Sequence, residues 1–472
     1  IWDAEKNDFI IWYPKETEDK NNRKFFFGKT TEDDKNAVAH FLNPHNIYGG
    51  GNLACNVEGT AVIEVLKGMT PIDLLQTQEW KDSYNDNNFP HFSVFGGGYG
   101  EHTSVAYTDV TVNVEGDYSA YDAEVDDDDD TEQMARPHSR RNAAKTTIPV
   151  CDNSKGIPNF TILGVLGGGY AGTVTRSSKV TVDGNTFLHR VYGGGFGDPY
   201  KATENTTGQI GNIEYEGSRA EVYVKGGNIY GDVFGGGAGV APKTATGTHF
   251  TNVARVIGNT IVEISEDAKI YGKVYGGGDM ANVGPEDYKQ DYSIKQQSYS
   301  NINKETGDID NNNEAPSYDA KNYRTLVNII GGDIFGSVFG GGKGLRREAA
   351  EHYEQVGRIN GNTIVHVANT AATSINSIAL DYYGNTVPYI WYNIYGGCAY
   401  GTVAGNTLVH IEGGMLGRDI FGGGYGDIAI SEENQDTQEV LGEKDTNNKA
   451  TYANILGNTQ VQMDGGTWIW NQ

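Results

Sequence analysis

Residues 396–421 read GGCAYGTVAGNTLVHIEGGMLGRDIF, and GGG follows at 422–424. Residues 167–192 read GGGYAGTVTRSSKVTVDGNTFLHRVY, and GGG follows at 193–195. Both stretches are 26 residues long and align without a gap. Val174 falls on Val403, Val180 on Val409, Val182 on Ile411 and Val191 on Ile420, while Ser177 takes the place of Asn406. Self-similarity at a fixed period marks a repeat architecture.

Outward from these two stretches the same unit recurs. Glycine triplets or near copies begin at Gly49, Gly96, Gly167, Gly193, Gly235, Gly276, Gly340, Gly396 and Gly422. The consensus is G-N-T-x-V-x-I-x-G-G-x-I-x-G-x-V-F-G-G-G-x-x-G-x-V. The step from the first strand valine to the triplet is 13 at Val180, Val222, Val327 and Val409. It is 14 at Val262, which predicts a one-residue bulge there. Each unit holds three short runs of alternating apolar residues, T-x-V-x-I, x-I-x-G-x-V-F and G-x-V, which is the strand signal. Three strands joined by tight corners describe one coil of a parallel β-helix. The expected fold is therefore all-β: a single elongated β-solenoid of about 26 residues per coil, with glycine-rich corners and long inserted loops. Glycine suits corners that need positive φ and stacked backbones that approach closely. A helical reading fails, since each interior glycine would cost a helix about 1 kcal/mol.

Stacked coils turn equivalent positions into columns. The residue before each triplet is Tyr48, Phe95, Leu166, Tyr192, Phe234, Tyr275, Phe339, Tyr395 or Phe421. All but Leu166 are aromatic, so an offset-stacked ring column is expected along the axis. Asn259, Asn362, Asn406 and Asn458 hold the Asn of the G-N-T corner, where an amide can bond to the neighbouring coil. The solenoid is placed at 47–472, with about nine to ten coils. Residues 1–46 read as a polar segment, part of an insert or of a preceding coil. The last G-N-T begins at Gly457, so the next triplet is expected at 457 + 17 = 474, beyond Gln472. Together with Ile at position 1, this predicts a segment of a longer parent chain.

Composition narrows the partners. The chain has 65 glycines, 12 prolines and a formal charge of −26. That charge repels nucleic acid and anionic headgroups. No apolar run is long enough for a membrane-spanning helix. Cys55, Cys151 and Cys398 are too few and too odd in number for a disulfide framework, and they read as small buried thiols whose pairing stays open.

The inserts are where specificity is expected. They are read as entering at two places: after the triplet (198–219, 240–253, 279–323, 343–356 and 427–452) and after the first strand (66–92, 117–160 and 368–392). Equivalent entry points stack on one edge, where repeat proteins bind partners. Insert 279–323 carries Tyr288, Tyr292, Tyr299, Tyr318 and Tyr323 among Asn, Asp and Lys, a candidate surface for sugar rings or protein loops. The run Asp126–Asp130, with Glu124 before it, is a weak candidate for Ca2+, because it lacks the spaced, glycine-containing pattern of a calcium loop. No other cofactor is expected. The GGGYG and GGGFG corners are not phosphate loops, since no helix follows them. Strand-face carboxylates are sparse, mainly Glu64, Asp183, Glu221, Glu263 and Glu412, and they scatter over positions. No catalytic residue is assigned. His366 and His410 occupy equivalent positions between strand apolars and read as an outward, solvated pair rather than a metal pair.

The G-N-T-x-V-x-I…G-G-x-I-x-G-x-V-F-G-G-G pattern resembles the glycine-rich repeats of large secreted surface proteins of Bacteroides-type bacteria. It is similar in kind to the β-helical passenger regions of adhesins. The resemblance implies an extracellular, cell-surface location, great length, and a structural or adhesive role. Its implied partners are other segments of the same chain and a surface protein or glycan, without membrane insertion. Two alternatives stay open: a binding component of a surface uptake or phage-tail-like assembly, and a β-helix polysaccharide lyase or glycoside hydrolase.

Overall fold

The computed structural model describes residues 46–67, 92–115, 162–184, 186–197, 207–212, 217–229, 231–239, 252–285, 325–345, 356–371, 385–426 and 453–468, with short strands at 2–3, 8–11, 25–27, 122–124 and 147–149. Among the described residues the secondary structure is strand and turn, with no helix. None of them forms a helix long and apolar enough to cross a membrane.

The T-x-V-x-I runs build one parallel sheet of nine strands in simple chain order. They are Asn52–Lys67, Tyr99–Glu115, Thr173–Gly184, Arg219–Val224, Asn259–Ile264, Thr325–Ile329, Thr363–Val367, Thr407–Ile411 and Thr459–Met463. Each pairs only with the equivalent run of the repeat before and after it. Val110, Val180, Val222, Val262, Val327, Val365 and Val409 are successive register partners. All of them are wholly buried, as is the next column of Val112, Val182, Val224, Ile264, Ile329, Val367 and Ile411. Period-two geometry sends both columns to the same face. Each such side chain taken out of water contributes about 1.5–3 kcal/mol.

The x-I-x-G-x-V-F runs form a second parallel sheet against that face. Ile229, Ile270, Ile334, Ile390 and Leu416 make one of its columns. Val233, Val274, Val338, Ile394 and Ile420 make another. In the first three described repeats the G-x-V run is the leading part of the long strands, with Val57, Val105 and Val174 in parallel register; after Val174 the runs do not form full strands. They touch through single parallel bridges, Val174 to Ile210, Val256, Val283, Ile359, Val403 and Ile455 in succession.

A threonine ties the two sheets together. Thr260 Oγ1 donates to the Gly276 carbonyl at 2.6 Å, and Thr108 does the same to Gly167 at 2.6 Å. Thr325, Thr363 and Thr407 bond Gly340, Gly396 and Gly422 in the same way. Thr260, Thr363 and Thr407 are the Thr of G-N-T, and Thr108 and Thr325 hold the same strand position, each reaching the first glycine of a triplet.

The triplet glycines are needed for close approach. A Cβ on Gly276 would lie 2.3 Å from the Gly340 carbonyl oxygen, and Gly276 N–H donates to Phe339 O at 2.9 Å. Positive φ belongs to another corner: Gly332, the second glycine of G-G, has φ +79°. The extra residue after Val262 also lies in that corner and not in a strand. The register Val222–Val262–Val327 is unbroken, and Glu266 takes φ +50° in the turn that follows. The expected strand bulge is thus a longer turn.

The inserts enter at three places rather than two. Asp279 and Val283 belong to the repeated fold through their bridges, so that insert begins only after residue 285, past the G-x-V run. Likewise Ile210 lies inside the segment read as insert 198–219. Some inserts carry antiparallel pairs of their own, Asp122–Glu124 with Thr147–Pro149 and Thr370–Ala371 with Asn385–Thr386. In the segment 1–46, Trp2–Asp3, Asp8–Ile11 and Phe25–Phe27 form a three-stranded antiparallel sheet.

Candidate functional site

The two columns expected from the sequence occupy fixed places. Tyr192, Phe234, Tyr275, Phe339, Tyr395 and Phe421 are successive register partners. Their rings stack at centroid separations of 5.0, 4.8, 4.9, 4.7 and 5.0 Å. Tyr48 stacks on Phe95 at 5.1 Å, and Leu166 fills the position between Phe95 and Tyr192. In the other column, Asn362 Oδ1 accepts the N–H of Asn406 at 2.8 Å, and Asn406 Oδ1 accepts that of Asn458 at 2.8 Å. Ser177 plays the same part, accepting the N–H of Arg219 at 3.2 Å. The backbone of Asn259 donates to Ser218 O at 3.1 Å. Tyr288, Tyr292, Tyr299, Tyr318 and Tyr323 lie outside the described residues, as do Asp126–Asp130 and Cys151; of Glu124 only the backbone is described. Cys398 is wholly buried, and burial pushes its thiol up to about 12. Cys55 is exposed, against the expectation of a buried thiol.

The first sheet has a polar column on the side opposite its valines. Tyr223, Glu263, Asn328, His366, His410 and Gln462 are register partners in that order. His366 lies between Val365 and Val367, so alternation turns it away from the core. It is nevertheless 0% exposed, and His410 is 4% exposed. The expected solvated pair is therefore a buried one. Beside it, Ile261, Leu326, Ile364 and Leu408 form a second apolar column on this outer side, also buried. In these repeats the sheet is covered on both faces.

The imidazoles meet carboxylates from the following corner. His366 Nε2 lies 2.7 Å from Glu412 Oε2, and His410 Nε2 lies 2.7 Å from Asp464 Oδ2. Glu412 and Asp464 stand at equivalent positions one repeat apart, Glu412 N–H donating to Val367 O and Asp464 N–H to Ile411 O. Each carboxylate thus reaches back one repeat to a histidine. Glu412 also faces His410, its Oε1 lying 3.9 Å from Nε2. The two rings are 5.7 Å apart. The His410 contact, with Gln462 second, holds the Asp464 carboxyl below its usual range.

A further link orients His366. Asn328 Nδ2 donates to Glu263 Oε2 at 2.9 Å, and His366 Nδ1 lies 2.8 Å from Asn328 Oδ1. A carboxylate only accepts, so the Asn328 amide nitrogen faces Glu263 and its oxygen faces the ring. His366 Nδ1 consequently donates to Asn328, and by the same rule Nε2 donates to the Glu412 carboxylate. Sequence reading had no access to this set, because Glu263, Asn328 and Glu412 are 65, 38 and 46 residues from their partners. The available signal was an acidic residue two positions after the ladder position in successive units, as in H-I-E and Q-M-D.

A second charged group sits past the triplets. Lys343 Nζ lies 3.6 Å from Asp232 Oδ2 and 3.8 Å from Asp279 Oδ1. Burial raises the Asp279 carboxyl, opposed by Lys343 and then Arg190. One cation shared by two acids ties their repeats together.

No family model matches the chain, and neither the curated proteins nor the solved structures compared with it include a match.

Proposed function

We propose that this chain is a single parallel β-helix, a β-solenoid of about 26 residues per coil, and that it serves as an extracellular structural and adhesive shaft at a cell surface. The observation that carries the reading is the ring column. Its separations of 4.7–5.0 Å from Tyr192 to Phe421 match the advance of one strand per repeat. Such a column stiffens an axis and extends with each added unit, which serves a shaft and has no use in catalysis. Sheet order and the amide ladder support the same reading, since in both each repeat pairs with the one before and the one after it. Glu412, Asp464, Glu263, Asp232 and Asp279 are engaged by His366, His410, Asn328 and Lys343, which favours holding over turnover. Adhesion is assigned to the inserts, with a surface protein or glycan as the partner class.

The test replaces residues 286–324 with a short Gly-Ser linker and compares both chains on glycan and surface-protein arrays. Binding by the parent chain that is lost in the linker variant, with an unchanged circular dichroism spectrum, is the expected result. Absence of binding by the parent chain overturns the adhesive role. Turnover of a polysaccharide by the parent chain overturns the shaft reading in favour of an enzyme.

A further inference from the structure

We infer that His366, His410, Glu412 and Asp464 form a binding site for a divalent transition metal, with Zn2+ the best match, that clamps three successive repeats. The inference does not depend on the adhesive role.

The donor atoms are already gathered. One ligand atom each from His366, His410 and Glu412 lies within 4.8 Å of the others, and among the described residues no other group of three His, Cys, Asp or Glu does this. Asp464 stands outside that group of three and meets it only through its 2.7 Å contact with His410 Nε2, so its exposed side chain must turn inward to become the fourth ligand. Tetrahedral zinc has bonds of about 2.0–2.2 Å, which sets its ligand atoms roughly 3.3–3.5 Å apart. The observed contacts of 2.7 and 3.9 Å fall on either side of that value, so small side-chain rotations suffice.

Donor chemistry selects the ion. Two imidazoles with two carboxylates suit zinc and its neighbours, whereas Ca2+ and Mg2+ take oxygen donors. The orientation of His366 is the second argument. A metal-binding imidazole usually donates its other ring N–H to a carbonyl or carboxylate, which fixes the tautomer. Asn328, held by Glu263, does this for Nδ1 and leaves Nε2 facing the cluster. Burial favours the imidazole side, while the Glu412 and Asp464 side chains are 42% and 54% exposed, so an ion can enter from solvent. Four protein ligands make a closed, structural site. The ligands come from three consecutive strand-and-corner units, so the ion would add a side-chain clamp to repeats already joined by backbone hydrogen bonds and the Asn362–Asn406–Asn458 ladder.

The test uses the full chain, stripped with a chelator and titrated with Zn2+ by calorimetry and with Co2+ by visible absorption. One equivalent per chain is expected, with the d–d bands of four-coordinate Co2+ and a higher melting temperature in Zn2+. Glu412→Gln changes a solvent-facing side chain and should keep the parent circular dichroism while weakening Zn2+ at least about tenfold. Asn328→Ala should weaken it by about 10–100-fold, as loss of an orienting partner does. The chain has ten histidines, so dependence on these residues is decisive. Absence of stoichiometric binding, binding unchanged in Glu412→Gln and His410→Gln, or equal affinity for Ca2+ each overturns the proposal.

Discussion

The side-chain oxygen of Asn406 accepts the backbone N–H of Asn458 at 2.8 Å, joining one repeat to the next. Asn406 is 8% exposed. Asn458 is exposed, so replacing Asn406 with Ala loses the hydrogen bond but leaves the donor to water, at a cost of about 0.5–1.5 kcal/mol. Asn406→Ser should lose less, because Ser177 fills the same column and accepts the same kind of bond. Urea midpoints of the two variants check the order.

Glycine requirements should follow backbone approach. A Cβ on Gly236 would meet Gly278 N at 2.7 Å and Gly278 Cα at 2.8 Å, both backbone atoms that cannot rotate away. Gly236→Ala is expected to cost about 1–3 kcal/mol or more. Gly423 holds the same column position, with nothing within 4 Å of its added Cβ. Gly423→Ala should stay within about 0.5 kcal/mol of the parent. Equal losses in denaturant melts would contradict the close-approach account.

Thr260 should act as a hydrogen-bond donor more than as a packing group. Thr260→Val keeps the shape and deletes the bond to Gly276 O, for a loss of about 0.5–1.5 kcal/mol. The column tolerates such a change, since it holds Ala220 between Ser178 and Thr260. A neutral Thr260→Val in equilibrium unfolding would remove the staple from the account.

Within the ring column, depth sets the penalty. Tyr275 is 2% exposed and lies between Phe234 and Phe339, so Tyr275→Ala should cost about 3–5 kcal/mol. Tyr275→Leu should recover much of this, as Leu166 fits the same column. Phe421 is 42% exposed, and its truncation should cost under about 2 kcal/mol.

Thiol reactivity should separate the two described cysteines. With its thiol raised to about 12 by burial, Cys398 is thiolate in only about one molecule in ten thousand at pH 8. Alkylation followed by mass spectrometry should mark Cys55 in the native chain and Cys398 only after denaturant is added. Prompt native labelling of Cys398 would show that its repeat opens.

Much of the repeat could be read locally. The alignment of Val180 with Val409 came from spacing alone, and both fall in one valine column of the parallel sheet. The ring positions were visible for the same reason: a side chain that must stack on its own kind is repeated in type. The third run reads as a strand, which holds for Val57, Val105 and Val174, yet in later repeats it contributes only single bridges such as Val283 to Ile359. Alternation over so few residues does not say how many bonds the backbone can form. Insert 279–323 was begun too early because Asp279 and Val283 do not announce which of them pairs. The His366 cluster stayed hidden, since alternation gives the direction of a side chain but not whether something covers that face.

Periodicity in the chain determined the strand faces, the corners and the residue types of the columns, because those depend on neighbours two to 26 residues away. Packing between repeats decided which glycines are needed for contact, where the inserts leave the repeat, and that Glu412 reaches back to His366. Those features depend on distances between atoms far apart along the chain, and they arise only when one repeat is laid on the next.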